Sequence, residues 1–334
     1  MKNITLTLIS VFISINAIGQ NISYSISSDD PYDLKRTTIH LDPFYADAYW
    51  TNVTMGWGIR ADYILDKSLC FGLTFRRAYF DMNAREHIDN SLMYSASGLS
   101  KHIHIEPVAY YTLSDQTKRT NMKIVLSSSS YTVGNYRYTN TQYIYVPGTA
   151  RNIFSARGGV SFINTAIDIS EGDGASDFVA EDSKDKTRTF QFGAYGQKQG
   201  GNSIYSGYTM MKTAAIFAGL SYKYITNLLV YVEGWGNRRN AGLNDIFLDF
   251  MFAPVVSFAD MSSADNTVWN IDNKNISRMG WRFGWQYRHP NKTWMSFETA
   301  FGARPGYKGK KSGILNPRFF LDITMGISIP TNKF

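Results

Sequence analysis

The sequence predicts an all-β protein, a transmembrane antiparallel β-barrel of about 12–14 strands behind a cleaved signal peptide. Three observations predict it. Residues 1–19 read as an export signal, long stretches alternate strictly between apolar and small or polar residues, and the composition suits such a sheet. Aromatic residues make up 15% of the 334-residue chain, with 22 Tyr, 21 Phe, 7 Trp and 27 Gly. Hydrophobic residues reach 44% and mean hydropathy is only −0.24. A barrel strand presents one face to lipid and the other to its interior, so apolar and polar residues interleave and the average looks mild. A soluble β-sandwich or barrel, periplasmic or secreted, is the alternative: it would share the alternation and could carry the same export signal, so the strand pattern has to choose.

The first element is that signal. Lys2 supplies a positive start, Ile4 through Ile15 an apolar middle, and Ala17 and Gly19 the small residues three and one before Gln20. Cleavage there would leave 334 − 19 = 315 residues. The apolar stretch is short for an anchor helix and is interrupted by Thr, Ser and Asn. Residues 20–50 are polar and read as a periplasmic segment or as a first strand near Thr37 to Leu41.

Strand patterning follows. Val53, Met55, Trp57, Ile59, Ala61 and Tyr63 alternate with Thr54, Gly56, Gly58, Arg60 and Asp62. After a turn at Asp66-Lys67, Leu69, Phe71, Leu73 and Phe75 oppose Cys70, Gly72, Thr74 and Arg76. Successive strand side chains point to opposite faces, so each run has one apolar face and one small or charged face. The same holds for 102–113, 212–224 and 246–258, where Ile246, Leu248, Phe250, Phe252, Val256 and Phe258 share a face. Met279 to Arg288 sets Met279, Trp281, Phe283, Trp285 and Tyr287 against Gly280, Arg282, Gly284, Gln286 and Arg288. The next run sets Met295, Phe297, Phe301 and Ala303 against Ser296, Glu298, Gly302 and Arg304. In the last, Phe319, Leu321, Ile323, Met325, Ile327 and Ile329 oppose Phe320, Asp322, Thr324, Gly326 and Ser328, and the chain ends at Phe334. Segments 119–133, 152–163, 187–197 and 228–237 are weaker strand candidates. The long connections are expected at 81–99, 134–151, 168–187 and 259–276, with a basic loop at 305–316.

An export signal, alternating strands and a terminal aromatic after the last strand together resemble the outer-membrane β-barrels of Gram-negative bacteria, over essentially all of 53–334. The resemblance implies an outer-membrane location, contact with lipid, and a last strand running toward the periplasm. On that orientation 277–288 also runs toward the periplasm. If the polar stretch 225–227 is a periplasmic turn, 245–258 runs the same way. Two successive strands cannot do so, so either a strand is missing near 259–276, expected around Thr267 to Ile271, or one of these assignments is wrong.

The formal charge is +7, or +6 once Lys2 is removed with the signal, and the basic residues are scattered, so no nucleic-acid footprint is read. The single Cys70 excludes an internal disulfide and lies far from any lipidation site. His102 and His104 share a strand face with Glu106, a conceivable metal pair, although polar interior residues are ordinary in barrels. Ser127 to Ser130 lack a nucleophile-elbow motif, and no catalytic, cofactor or metal site is assigned. The acidic loop 168–185 carries Asp168, Glu171, Asp173, Asp177, Glu181, Asp182 and Asp185 against Lys184, a net −7 + 1 = −6. It and the basic loop of Lys308, Lys310 and Lys311 could pair with each other or with envelope proteins. The expected interior charges are Arg60, Asp62, Arg76, Glu233, Arg282, Arg288, Glu298, Arg304 and Asp322. In a narrow barrel they would pair and fill the interior, and in a wide one they would line a water-filled pore. The expected function is a porin-like channel or transporter for small polar solutes, with a structural or interaction subunit of a larger outer-membrane secretion, motility or assembly complex as the alternative. An enzyme is the less favoured third reading, and no catalytic motif is found for it.

Overall fold

A computed structural model describes residues 22–49, 52–83, 92–95, 102–168, 178–187, 189–191, 206–262, 267–273, 276–307 and 318–332. The signal segment, His87, Phe334, Lys308, Lys310, Lys311 and the acidic stretch 169–177 lie outside these residues. Among the described residues there is no helix. The strands are β1 (Tyr24–Asp29), β2 (Thr37–Tyr49), β3 (Asn52–Ile64), β4 (Leu69–Asn83), β5 (Leu92–Ser95) and β6 (Ile103–Val133). Next come β7 (Tyr136–Asp168), β8 (Phe178–Asp182), β9 (Thr189–Gln191), β10 (Ser206–Val232), β11 (Gly236–Phe258) and β12 (Met261–Ser262). The last are β13 (Val268–Asn273), β14 (Ile276–Ser277), β15 (Met279–Arg288), β16 (Trp294–Ala303), β17 (Gly306–Tyr307) and β18 (Phe319–Thr331).

Ten strands hydrogen-bond in a closed path: β2, β3, β4, β6, β7, β10, β11, β15, β16, β18 and back to β2. Each neighbour is the next long strand in the chain, so this is an up-and-down meander whose last strand meets its first. Closure runs from Phe320 opposite Tyr49 to Thr331 opposite Thr37. A closed sheet leaves no unpaired edge. The short strands β5, β12, β13, β8 and β9 extend the sheet from β10.

Ten is fewer than the expected 12–14, and the cause is strand length. A crossing needs about 9–11 residues, but β6 and β7 run for 31 and 33 residues and β10 and β11 for 27 and 23. The expected connection 134–151 is therefore strand apart from the two-residue turn at Gly134 and Asn135. Gly134 takes φ +60°, the left-handed conformation such a turn requires.

The direction conflict disappears for the same reason. Residues 225–227 are not a turn, because β10 continues through them to Val232. Their polar side chains are satisfied within the sheet. Thr226 Oγ1 donates to Asn240 Oδ1 at 3.0 Å, and Asn227 Nδ2 donates to the Asp30 carbonyl at 3.0 Å. β11 then pairs antiparallel with β15, Leu243 opposite Arg288 through Phe252 opposite Met279, so no further strand of the closed path lies between them. The expected segment near Thr267 to Ile271 is strand from Val268 on, within β13, but it pairs with β12 and β8 outside that path. The face assignment of 246–258 also needs correction. Pro254 and Val255 are both exposed, which breaks the alternation, and Val256 and Phe258 turn inward onto a buried cluster.

The chain divides into two compact units. One comprises residues 32–118, 151–225 and 242–334, and the other residues 1–31, 119–150 and 226–241. The first holds the closed portion of the sheet. Its outward face is apolar: Leu41, Ile59, Leu73, Ile216, Leu248 and Ile327 are all exposed. The second has an apolar interior of Met122, Ile124, Leu126, Val146, Leu228, Val230 and Val232, each at most 4% exposed. There β1 adds to β10, with Tyr24 opposite Val232. Asp29 receives both the Thr149 amide at 3.0 Å and the Thr149 hydroxyl at 2.8 Å.

Candidate functional site

The closed sheet carries alternating side chains inward, and these are charged. Glycines on adjacent strands leave room for inward side chains beside them: a Cβ at Gly58 would meet Cγ of its ladder partner Arg76 at 3.0 Å, and one at Gly284 would run into the ring of its partner Phe247. Arg282 is the best-fixed residue. Its Nη1 and Nη2 donate to the two oxygens of Glu106 at 2.6 Å each, and its Nε donates to Asp249 Oδ2 at 2.7 Å. Arg157 Nε lies 3.2 Å from Asp249 Oδ1, with its guanidinium 3.9 Å from the centre of the Phe247 ring.

A second group lies on β2, β3, β4, β16 and β18. Arg304 Nη1 donates to Asp47 Oδ2 at 2.6 Å and its Nη2 to Asp322 Oδ1 at 3.0 Å. Arg76 Nη2 lies 2.9 Å from Glu298 Oε1 and Nη1 lies 3.7 Å from Asp322 Oδ2. Arg60 bonds Glu298 and donates from Nη2 to His40 Nδ1 at 3.0 Å. That contact makes His40 Nδ1 an acceptor, which leaves Nε2–H to donate to Asp62 Oδ2 at 3.1 Å. Arg288 completes the set, with Nη1 donating to Thr38 Oγ1 at 3.0 Å and Nε 3.9 Å from Asp62.

Six guanidiniums (Arg60, Arg76, Arg157, Arg282, Arg288, Arg304) thus face six carboxylates (Asp47, Asp62, Glu106, Asp249, Glu298, Asp322), and Asp42 on β2 is a further buried acid in the same interior. The pairing is what burial demands, since a charge removed from water is tolerated when it is paired and hydrogen-bonded. Eight of the nine residues expected inside are in this network. Glu233 is the exception: it sits in the turn between β10 and β11, exposed, because the strand ends one residue before it. Asp47, Arg157, Asp249 and His40 were missed as interior residues, and Glu106, placed on the inward polar face with the histidines, was not counted among the interior charges. Asp249 had a readable signal, since it alternates with the outward Leu248 and Phe250. Asp47 lies in the polar N-terminal stretch, where no alternation pointed to it.

The histidine pair is committed elsewhere. His102 Nε2 is 3.2 Å from the Tyr45 hydroxyl, and His104 Nε2 lies 3.3 Å from Glu106 and 3.2 Å from Ser161 Oγ. Among the described residues no three His, Cys, Asp or Glu side chains converge as metal ligands. Ser127, Ser128 and Ser130 make cross-strand contacts to Gln142, Thr141 and Arg137. Of the acidic loop, Asp182 accepts the Lys184 amide at 2.9 Å and Asp185 accepts the Thr187 amide at 3.1 Å, as turn-forming carboxylates do.

On one side of the network Tyr49, Met211, Phe247, Met261, Trp269, Tyr307 and Phe320 form a buried apolar layer. On the other, a cavity of about 330 Å³ opens past the β3–β4 turn and residues 32–36. Its inner end carries Asp62, Asp245, Lys223 and Arg288. No protein-family model matches the chain, and no curated protein matches its sequence.

Proposed function

We propose that the chain is an exported outer-membrane β-barrel of a Gram-negative envelope, and that it serves as a structural or interaction subunit of a larger envelope assembly. The observation that carries this reading is the paired interior: six arginines and six carboxylates meet one another across the closed sheet, as the narrow alternative requires. A selectivity-setting pore needs charges that face water and passing ions, whereas here Arg282, Arg304, Glu298 and Asp322 are buried. The export signal and the exposed Leu, Ile and Phe of the outward face support the membrane location.

The second unit supports the interaction role. Its surface exposes Tyr131, Tyr136, Tyr138, Tyr143 and Tyr145, with Tyr131 and Tyr138 stacked at 5.4 Å. Tyrosine combines apolar area with a hydroxyl and is enriched where proteins bind one another. A channel for small polar solutes is the second reading, favoured by the solvent-reaching cavity and its charged inner end.

Mild-detergent extraction from the native envelope, followed by planar-bilayer recording on the same sample, tests both. The proposal expects the chain in the outer-membrane fraction, in a complex of fixed stoichiometry that dissociates when Tyr143 and Tyr145 are changed to Ser, with no conductance steps. Recovery as a free barrel with steady conductance would overturn it in favour of the channel.

A further inference from the structure

The cavity differs from the network beside it in one respect: its cations outnumber its acids. Arg36, Lys67, Arg151, Lys223 and Arg288 line it, against Asp62, Asp66 and Asp245. All three acids already have partners. Asp66 accepts the Ser68 and Leu69 amides at 2.6 and 2.7 Å, Asp62 accepts from His40, and Asp245 accepts the Ser221 hydroxyl at 2.6 Å. Of the cations, Arg151 is fully engaged by Asp115, at 2.8 and 2.7 Å. Lys223 is held loosely, its Nζ 3.9 Å from Asp245 Oδ2 and 3.9 Å above the Tyr110 ring. Arg36 and Lys67 sit exposed at the mouth, and neither side chain makes a hydrogen bond or ion pair among the described residues.

Beside Lys223 the wall is apolar. Ile153, Ile225 and Leu243 form a buried cluster with Leu34 packed on it. Lys223 and Ile225 point inward from the same strand two residues apart, their Cα atoms roughly 7 Å apart, so the ammonium and the apolar cluster share one wall. A ligand that satisfies both carries a negative head joined to a compact apolar body. The volume falls at the lower end of small-molecule sites, roughly 300–1,000 Å³. Apolar walls lower the local dielectric and strengthen the attraction of an anion to Lys223.

We propose that this cavity is a binding site for a small amphipathic organic anion, an aromatic carboxylate seated with its carboxylate at Lys223 and its ring on the Ile153–Ile225–Leu243 wall. The site would operate in a conducting or a non-conducting barrel, and so stands apart from the functional reading above.

Cys70, the chain's single cysteine, lies half-buried on the cavity wall and provides a built-in reporter. The test titrates the purified full chain in lipid nanodiscs with 2-naphthoate, and with the isosteric neutral 2-naphthylmethanol and cationic 2-naphthylmethylammonium. Calorimetry and the rate of Cys70 alkylation by N-ethylmaleimide are the two readouts. Naphthoate is expected to bind about tenfold more tightly than the alcohol, the worth of one charge-assisted hydrogen bond, to slow alkylation at saturation, and to weaken as salt rises. Lys223→Met should remove that tenfold advantage and Lys223→Arg should retain most of it. Should Lys223→Met not fold, the surface pair Arg36→Gln and Lys67→Gln replaces it, with an expected loss of about threefold that salt abolishes. Equal binding of acid and alcohol, or naphthoate binding that leaves Cys70 alkylation unchanged, would overturn the proposal.

Discussion

The two units of this chain have opposite polarity. The unit with the closed sheet buries Arg, Asp, Glu and His alongside an apolar layer and exposes Leu, Ile and Phe. The unit built from residues 22–31, 119–150 and 226–241 buries Met, Ile, Leu and Val and exposes Ser, Thr, Arg and Tyr. Four strands, β6, β7, β10 and β11, contribute to both, so the reversal happens along continuous strands of one backbone geometry. Ile124 is 1% exposed on β6, while Leu113 on the same strand is 52% exposed. Strand geometry supplies only alternation. On the proposed membrane reading, which face is apolar reflects the medium outside, and the two units would face different media.

The comparison is broken most severely from the inside of the closed sheet. Arg282→Met removes three charge-assisted hydrogen bonds and leaves Glu106 and Asp249 short of a buried partner. A loss of about 3–5 kcal/mol is expected, read as a lower urea midpoint for the heat-modifiable gel mobility of the folded chain. Adding Glu106→Gln and Asp249→Asn should recover much of it, because the orphaned charges are then gone. If Arg282→Met alone changes nothing, the interior is wet and the paired-network reading fails.

The second unit should respond in the opposite sense. Leu126, 4% exposed, belongs to its apolar interior. Leu126→Ala is expected to cost about 2–5 kcal/mol through lost transfer energy and the cavity left behind, seen as faster hydrogen exchange in 119–150 and 226–241. On the outer face of the closed sheet, Ile59 lies near the middle of β3 and is 43% exposed. Ile59→Arg should cost about 2–4 kcal/mol if that face meets the bilayer midplane, measured as the folded fraction in vesicles. In water such an exposed change would be nearly neutral, so an unaffected variant would remove the membrane reading.

Much of this was legible in alternation, and the reversal explains what was not. The β3, β4, β15, β16 and β18 patterns gave both strand and facing, because each is a single crossing with one apolar face throughout. In 119–133 and 228–237 the pattern looked weaker because the exposed positions there hold Ser, Tyr and Asn in place of Leu and Phe. Those segments were therefore counted as extra crossings rather than as continuations. Thr226-Asn227 read as a turn because both residue types favour one. Their partners, Asn240 and Asp30, are distant in sequence and carry no local mark. The interior network was half legible for a similar reason. A charged residue opposite an apolar run announces that it points inward, but the pairing of Arg282 with Glu106, 176 residues away, depends on ring closure.

The smallest effect is the most discriminating. Tyr145, on β7 in the second unit, is 59% exposed, comparable with outward residues of the closed sheet. Exposure and strand geometry alone would assign it the same tolerance to charge as Ile59. The polarity argument does not: Tyr145 lies on a surface with Lys123 over the neighbouring Tyr143 ring at 4.0 Å, and its strand returns to the apolar interior through Val146. Tyr145→Arg should therefore stay within about 0.5 kcal/mol of the parent in the same vesicle assay. Matched losses for Tyr145→Arg and Ile59→Arg would mean that both outer faces meet one medium. A loss at Ile59 alone would leave the medium as the cause of the reversed polarity, since both are exposed strand residues, Tyr145 the more exposed of the two.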